Sequence, residues 1–174
     1  MSDKIRLAGR LCSSLVNGQG FRIVLFAQGC HHNCVGCFNK HTHSFDGGEV
    51  FTVDEVIDYI KSVTSPLVYN LTLSGGDVFY QAKGFSILLK KLKENDSIKR
   101  NIWCYTGFTF EELLNDNSNE YYLELLKNVD VLVDGKFEID NKDTECKYKG
   151  SKNQRIIDVK ESLKLNKVVL LKEY

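Results

Sequence analysis

Three cysteines fall within eight residues in the segment Gly29-Cys30-His31-His32-Asn33-Cys34-Val35-Gly36-Cys37. Thiolates are soft ligands that select iron-sulfur clusters, zinc or copper(I), and the spacing Cys-x3-Cys-x2-Cys is short enough to wrap one small metal centre. Three thiolates can hold three corners of a cubane cluster. The fourth iron is then open, and an open coordination position separates a reactive metal site from a closed structural one, a distinction drawn for zinc that carries over to a cluster. Zinc is the competing reading, because His31, His32, His41 and His43 lie close in sequence and could each supply a fourth ligand. Spacing alone leaves that alternative standing. Thiols packed merely as small apolar side chains fit poorly, since a polar loop rich in Gly and His is a poor place to bury them. The four histidines themselves read as ordinary polar loop residues.

A second constellation is Ser74-Gly75-Gly76-Asp77. Paired glycines lack Cβ atoms and permit positive φ, so the backbone can come close to a ligand and present its N–H or C=O groups. Such a pair is also found in a plain tight turn, with the acid as a plain helix cap. Its weight comes from its place in the chain, at the end of an apolar run like the one that precedes the cysteines.

The elements that must position these residues follow from the hydrophobic pattern. Apolar runs at 23–26, 69–73, 102–105, 131–133 and 168–171 do not alternate cleanly with polar residues, which predicts strands buried on both faces. Between them lie segments of helical period. Thr52 and Glu55 form a capping box before Val53, Val56, Ile57 and Ile60. Phe85, Leu88, Leu89 and Leu92 repeat the spacing after the second run, with Lys90, Lys91 and Lys93 as its solvated face. Thr109 and Glu112 offer another box, and Tyr122, Leu125, Leu126 and Val129 mark a further short helix. The stretch 135–151 is polar, lacks a period and reads as a long irregular excursion. Strands alternating with helices predict an α/β fold with a parallel sheet, whose active site lies where strands give way to loops. Ser74-Gly75-Gly76-Asp77, Thr106-Gly107 and Asp134-Gly135 all sit at that edge.

With 174 residues, the chain reads as one domain, 1–174. Its 23 basic side chains balance 23 acidic ones, so it lacks the broad positive field of a nucleic-acid binder, and no nucleic-acid partner is expected. The first nine residues mix Asp3, Lys4 and Arg6 without a long apolar run, unlike a signal peptide or membrane span, so the expectation is a cytoplasmic protein with no membrane partner. Its six cysteines are then expected to stay reduced, and grouped ones point to metal or redox chemistry.

Taken together, Cys30-x3-Cys34-x2-Cys37 and the glycine turn resemble the radical S-adenosylmethionine enzymes. The blocks 17–22 (NGQGFR), 36–39 (GCFN), 73–77 (LSGGD), 103–108 (WCYTGF), 133–137 (VDGKF) and 150–155 (GSKNQR) are similar, in order and over nearly the whole chain, to the activases of the anaerobic ribonucleoside-triphosphate reductase. Gly36 stands where many of the wider superfamily carry an aromatic residue, a departure the activases share. Asp77 stands where many carry Glu.

The resemblance implies a partial, open parallel (β/α) barrel of about five or six strands. It implies one 4Fe-4S cluster on Cys30, Cys34 and Cys37, with the amino and carboxylate groups of S-adenosylmethionine on the open iron. Gly75 and Gly76 would lie along the methionine amino group, Asp77 would support that turn, and Gly36, Cys37 and Phe38 would contact the nucleoside. One electron from a donor such as flavodoxin or ferredoxin would break the C5′–S bond. The resulting 5′-deoxyadenosyl radical would take a hydrogen from a glycine of the reductase's large subunit, with no catalytic side-chain acid, base or nucleophile. Asp134, Lys136, Asn153 and Arg155 would shape the pocket or partner surface, or serve as ordinary loop residues. Trp103 reads as core, and the dispersed Cys12, Cys104 and Cys146 as unliganded structural cysteines. Two alternatives remain: a radical enzyme acting on a small molecule, such as a deazapurine-forming synthase, and a non-catalytic zinc-binding module.

Overall fold

The computed structural model describes residues 4–172 and residue 174, so Asp3 lies outside the described residues. Seven strands form one mixed sheet in the order β3-β1-β2-β4-β5-β6-β7. They are β1 (Lys4–Ser14), β2 (Arg22–Ala27), β3 (Glu49–Thr52), β4 (Asn70–Gly75), β5 (Ile102–Tyr105), β6 (Val131–Asp134) and β7 (Arg155–Asp158). The central four, β2, β4, β5 and β6, are parallel, whereas β1, β3 and β7 join antiparallel at the flanks.

The helices are α1 (Val53–Val63), α2 (Ala82–Asn95), α3 (Phe110–Asn115), α4 (Glu120–Leu126) and α5 (Val159–Leu165). Both expected capping boxes form: Glu55 and Glu112 each return a bond to the backbone N–H of Thr52 and Thr109, at 2.7 Å in both cases. Alternate strand residues Ile23, Leu25, Leu71, Leu73, Ile102, Cys104 and Leu132 pack against α1, α2 and α4 in the main core. The opposite positions Trp103, Val131, Val133 and Ile156 form a second cluster with Tyr105, Tyr148, Leu171 and Tyr174. The sheet is therefore buried on both faces, by helices on one and by loops and the C-terminal tail on the other. That is why the central strands are continuous apolar runs.

The α/β class is as expected, but the strand arrangement differs. Among the described residues the sheet has seven strands, where about five or six were expected, and is mixed where a parallel one was expected; it ends at β3 and β7 without closing, in keeping with the open form expected. β1 was hidden in the sequence because an antiparallel strand needs only alternate apolar residues; Ile5 and Leu7 are buried while Lys4 is exposed, and bulges interrupt the register beyond. The expected strand at 168–171 is reduced to a bridge between Leu170 and Ile157. Arg155–Asp158 occupies the β6 edge instead, where Ile157 reaches the helical core and Ile156 the opposite cluster. Among the described residues no helix is long and apolar enough to cross a membrane.

Candidate metal centre

The cysteine loop leaves the C-terminal end of β2 and is held down by its own backbone. Gly29 N–H donates to Thr42 C=O at 2.7 Å and Cys30 N–H to His43 C=O at 3.0 Å. Gly29 has φ +103°, and a Cβ there would lie 2.5 Å from the Phe45 ring, so both conformation and space require glycine. Asn33 and Gly36, at φ 52° and 73°, turn the chain between the thiols.

Cys30, Cys34 and Cys37 line one cavity of about 760 Å³ together with Phe38, Gly75 and Gly76. Two further expected residues are placed elsewhere. Gly36 is not in the wall; a Cβ on it would meet Ile139 at 2.9 Å. Asp77 is fully buried behind the wall. All six cysteines are free thiols. Among the described residues, no three His, Cys, Asp or Glu side chains converge tightly enough to hold a single metal ion. Three soft donors around a roomy cavity suit a cluster, which is bulkier than an ion.

The glycine turn is pressed against the cysteine loop. A Cβ at Gly76 would lie 2.5 Å from the Gly29 carbonyl oxygen, and one at Gly75 would lie 2.5 Å from the backbone N and O of Ala27. Gly76 N–H donates to Ala27 C=O at 2.8 Å and Asp77 N–H to Gly29 C=O at 2.9 Å. These glycines thus have a structural reason for their identity, the close approach of β4 to β2, in addition to any ligand contact.

Asp77 is a hub. Its Oδ1 accepts from Phe79 N–H at 2.9 Å, and its Oδ2 accepts from Thr106 Oγ1 and Gly107 N–H, both at 2.8 Å. The third contact to Oδ2 is His32 Nε2, at 2.7 Å. The sequence read His32 as an ordinary loop residue, but its side chain is only 7% exposed and its ring stands edge-on to Phe108 at 4.6 Å. The doubled histidine inside the cysteine motif was the only hint. His31 packs tilted against Phe45 and edge-on to Tyr80, His43 lines the cavity, and His41 is exposed. Cys146 also lines the cavity, whereas Cys104 is core and Cys12 exposed.

Asp134, Lys136, Asn153 and Arg155 share an adjoining cleft. There Arg155 bonds to both oxygens of Asp134 and of Glu111, which hold its guanidinium above its ordinary value.

Burial pushes the Cys30 thiol up to about 11 and raises Cys34 in the same direction. Loading a metal centre must therefore displace protons from these thiols. Because the folded value of Cys30 lies above its ordinary 9.0, the folded protein holds that proton where the unfolded chain has lost it. The metal-free protein should accordingly lose stability as pH rises from about 9 towards 11, and a Cys30→Ala variant should lose less over that range. Urea melts across that interval measure it.

A family described as a 4Fe-4S single cluster domain matches residues 16–157. Three relatives each carry the name anaerobic ribonucleoside-triphosphate reductase-activating protein. The one from Enterobacteria phage T4 is 38% identical over 81% of this chain and 86% of its own. That from Vibrio cholerae is 38% identical over 82% and 90%, and that from Escherichia coli K12 is 35% identical over 80% and 90%. The crystal structure of QueE from Escherichia coli overlays 61% of this chain and 54% of its own at 13% identity and a TM-score of 0.46, a likeness too loose to bear on chemistry. Similarity to the named relatives over four fifths of its length, with the cluster domain spanning the three thiols, places this chain in the family of anaerobic ribonucleoside-triphosphate reductase-activating proteins.

Proposed function

We propose that the protein is a radical S-adenosylmethionine activase, which generates the glycyl radical on the large subunit of an anaerobic ribonucleoside-triphosphate reductase. The observation that carries this reading is the convergence of Cys30, Cys34 and Cys37 on the cavity that Gly75 and Gly76 also line. The three thiolates would hold a 4Fe-4S cluster, leaving one iron for the amino and carboxylate groups of S-adenosylmethionine. When bound and reduced, the cluster supplies the electron that splits the sulfonium and yields a 5′-deoxyadenosyl radical.

The chain's own residues bind and shield. Backbone groups of Gly75 and Gly76 would meet the methionine end, and Cys37 and Phe38 the nucleoside. Leu15, Val16, Phe137 and Tyr148 add apolar and aromatic wall, which would help to shield a reactive intermediate from water. No side-chain acid or base is needed, because hydrogen-atom transfer moves proton and electron together. The sheet would serve as an open half-barrel of radical S-adenosylmethionine type, admitting a glycine-bearing loop of the partner, with a flavodoxin or ferredoxin as electron donor.

The test is anaerobic incubation of reduced protein with S-adenosylmethionine and the reductase large subunit, read by electron paramagnetic resonance. A glycyl signal with stoichiometric 5′-deoxyadenosine supports the reading. Cofactor cleavage without a glycyl signal would favour a small-molecule substrate, and a colourless protein holding one zinc would sink both.

A further inference from the structure

We propose that His32 is a positioning residue, through which buried Asp77 locks the cysteine loop onto the glycine turn and so sets how the metal centre faces its cosubstrate. The inference rests on the reading of the site as cluster plus S-adenosylmethionine, and concerns a residue with no ligand role in it.

Three loops meet at Asp77. The side chain follows β4, Thr106 and Gly107 follow β5, and His32 lies between Cys30 and Cys34 after β2. Asp77 is fully buried, and three of its contacts converge on Oδ2. A carboxylate oxygen only accepts, so the 2.7 Å contact places the hydrogen on His32 Nε2. With both oxygens taken inside the protein, Asp77 acts on a bound ligand through the backbone it fixes. His32 is the only one of its side-chain partners on the cysteine loop. The other tethers of that loop to the glycine turn are main-chain bonds at its base, such as Asp77 N–H to Gly29 C=O. His32 supplies the hold further out, in the middle of the Cys-x3-Cys stretch. Its ring is also confined: it stands 4.6 Å from Phe108, and a Cβ on Gly107 would come within 2.5 Å of it. A buried, charge-assisted bond of this kind is both strong and orienting.

The experiment compares anaerobically reconstituted wild type with His32→Ala and His32→Gln. It measures iron and sulfide per chain, the paramagnetic resonance of the reduced cluster with and without S-adenosylmethionine, and equilibrium affinity for that cosubstrate. His32→Ala should load its cluster but bind S-adenosylmethionine about tenfold more weakly, because part of the binding energy must then go into ordering a loop the wild type holds in place. It should also show a diminished cosubstrate-induced change in the resonance. His32→Gln, which keeps an N–H donor, should recover most of both. Wild-type affinity and spectra in His32→Ala would overturn the proposal, as would a glutamine variant as impaired as alanine. If His32→Ala fails to load iron, His32→Gln and His32→Met decide: a glutamine variant that loads and responds beside a methionine variant that does not supports the role, and equal behaviour refutes it. A wild type without a cluster, or whose cluster ignores S-adenosylmethionine, would refute the underlying reading before any variant is compared.

Discussion

Cys34→Ala should yield a folded, colourless protein that binds almost no iron and generates no glycyl radical. Two thiolates of the three cannot hold a cubane in place. Cys34 is only half-buried, so its removal opens no large core cavity, and the metal-free variant should melt within about 0.5 kcal/mol of the metal-free wild type. Iron and sulfide analysis, which should fall from about four irons per chain to near zero, reads the effect directly. Cys146→Ala is the companion. Cys146 faces the same cavity, so its sulfur is the one that could stand in for a missing ligand. The ligand set Cys30, Cys34 and Cys37 requires that Cys146→Ala keep its full cluster. Loss of iron there, or retention in Cys34→Ala, would show that the set is wrong.

Arg22→Ala should cost about 3–5 kcal/mol of stability, the size of a large core truncation that also orphans buried acceptors. Arg22 is 1% exposed, and burial lowers its value to about 10, which leaves it charged at neutral pH. Its guanidinium donates four hydrogen bonds, to Thr72 Oγ1 at 2.7 Å, Gln19 C=O at 2.8 Å, Leu71 C=O at 2.9 Å and Asn101 C=O at 2.7 Å. It also lies over the Trp103 ring at 5.4 Å. This one side chain joins the starts of β2, β4 and β5 and holds down the loop before β2. Leu15, Val16 and Asn17 of that loop form part of the cavity wall. Alanine would leave four acceptors each short of a donor, together with a void. Lysine would keep the charge but lacks the planar fork that spans four acceptors, so Arg22→Lys should recover only part of the loss. Urea denaturation of the metal-free proteins gives both values, and a cost under about 1 kcal/mol for alanine would show that the site collapses or hydrates without penalty.

Much of the frame was legible from local pattern. Strands β2, β4, β5 and β6 appear as apolar runs because both their faces are buried, and the Thr52–Glu55 and Thr109–Glu112 boxes formed as spaced. Capping and periodicity depend on neighbours a few residues apart, so sequence shows them. The flanking strands were not legible. β1 mixes charge with alternating Ile5 and Leu7, and β7 is four residues of which two are apolar, so neither rises above a loop until its partner strand is known. The apolar run at 168–171 misled for the opposite reason: it is a tail that packs beside β7, with Leu171 N–H bonded to Ile156 C=O, without becoming a full strand.

The sequence by itself determined the chemistry available: which thiols can share a metal centre, that a fourth ligand is missing from the motif, and where a glycine pair lets backbone come close. These depend on residue type and short spacing. Only the tertiary structure decided what supports that chemistry. It buried Asp77 and joined it to His32, 45 residues away, brought Cys146 to the cavity wall, and pressed Gly76 against Gly29. Such contacts are fixed by the register of parallel strands, β2 beside β4 and β4 beside β5, and that register is set by the whole packed sheet.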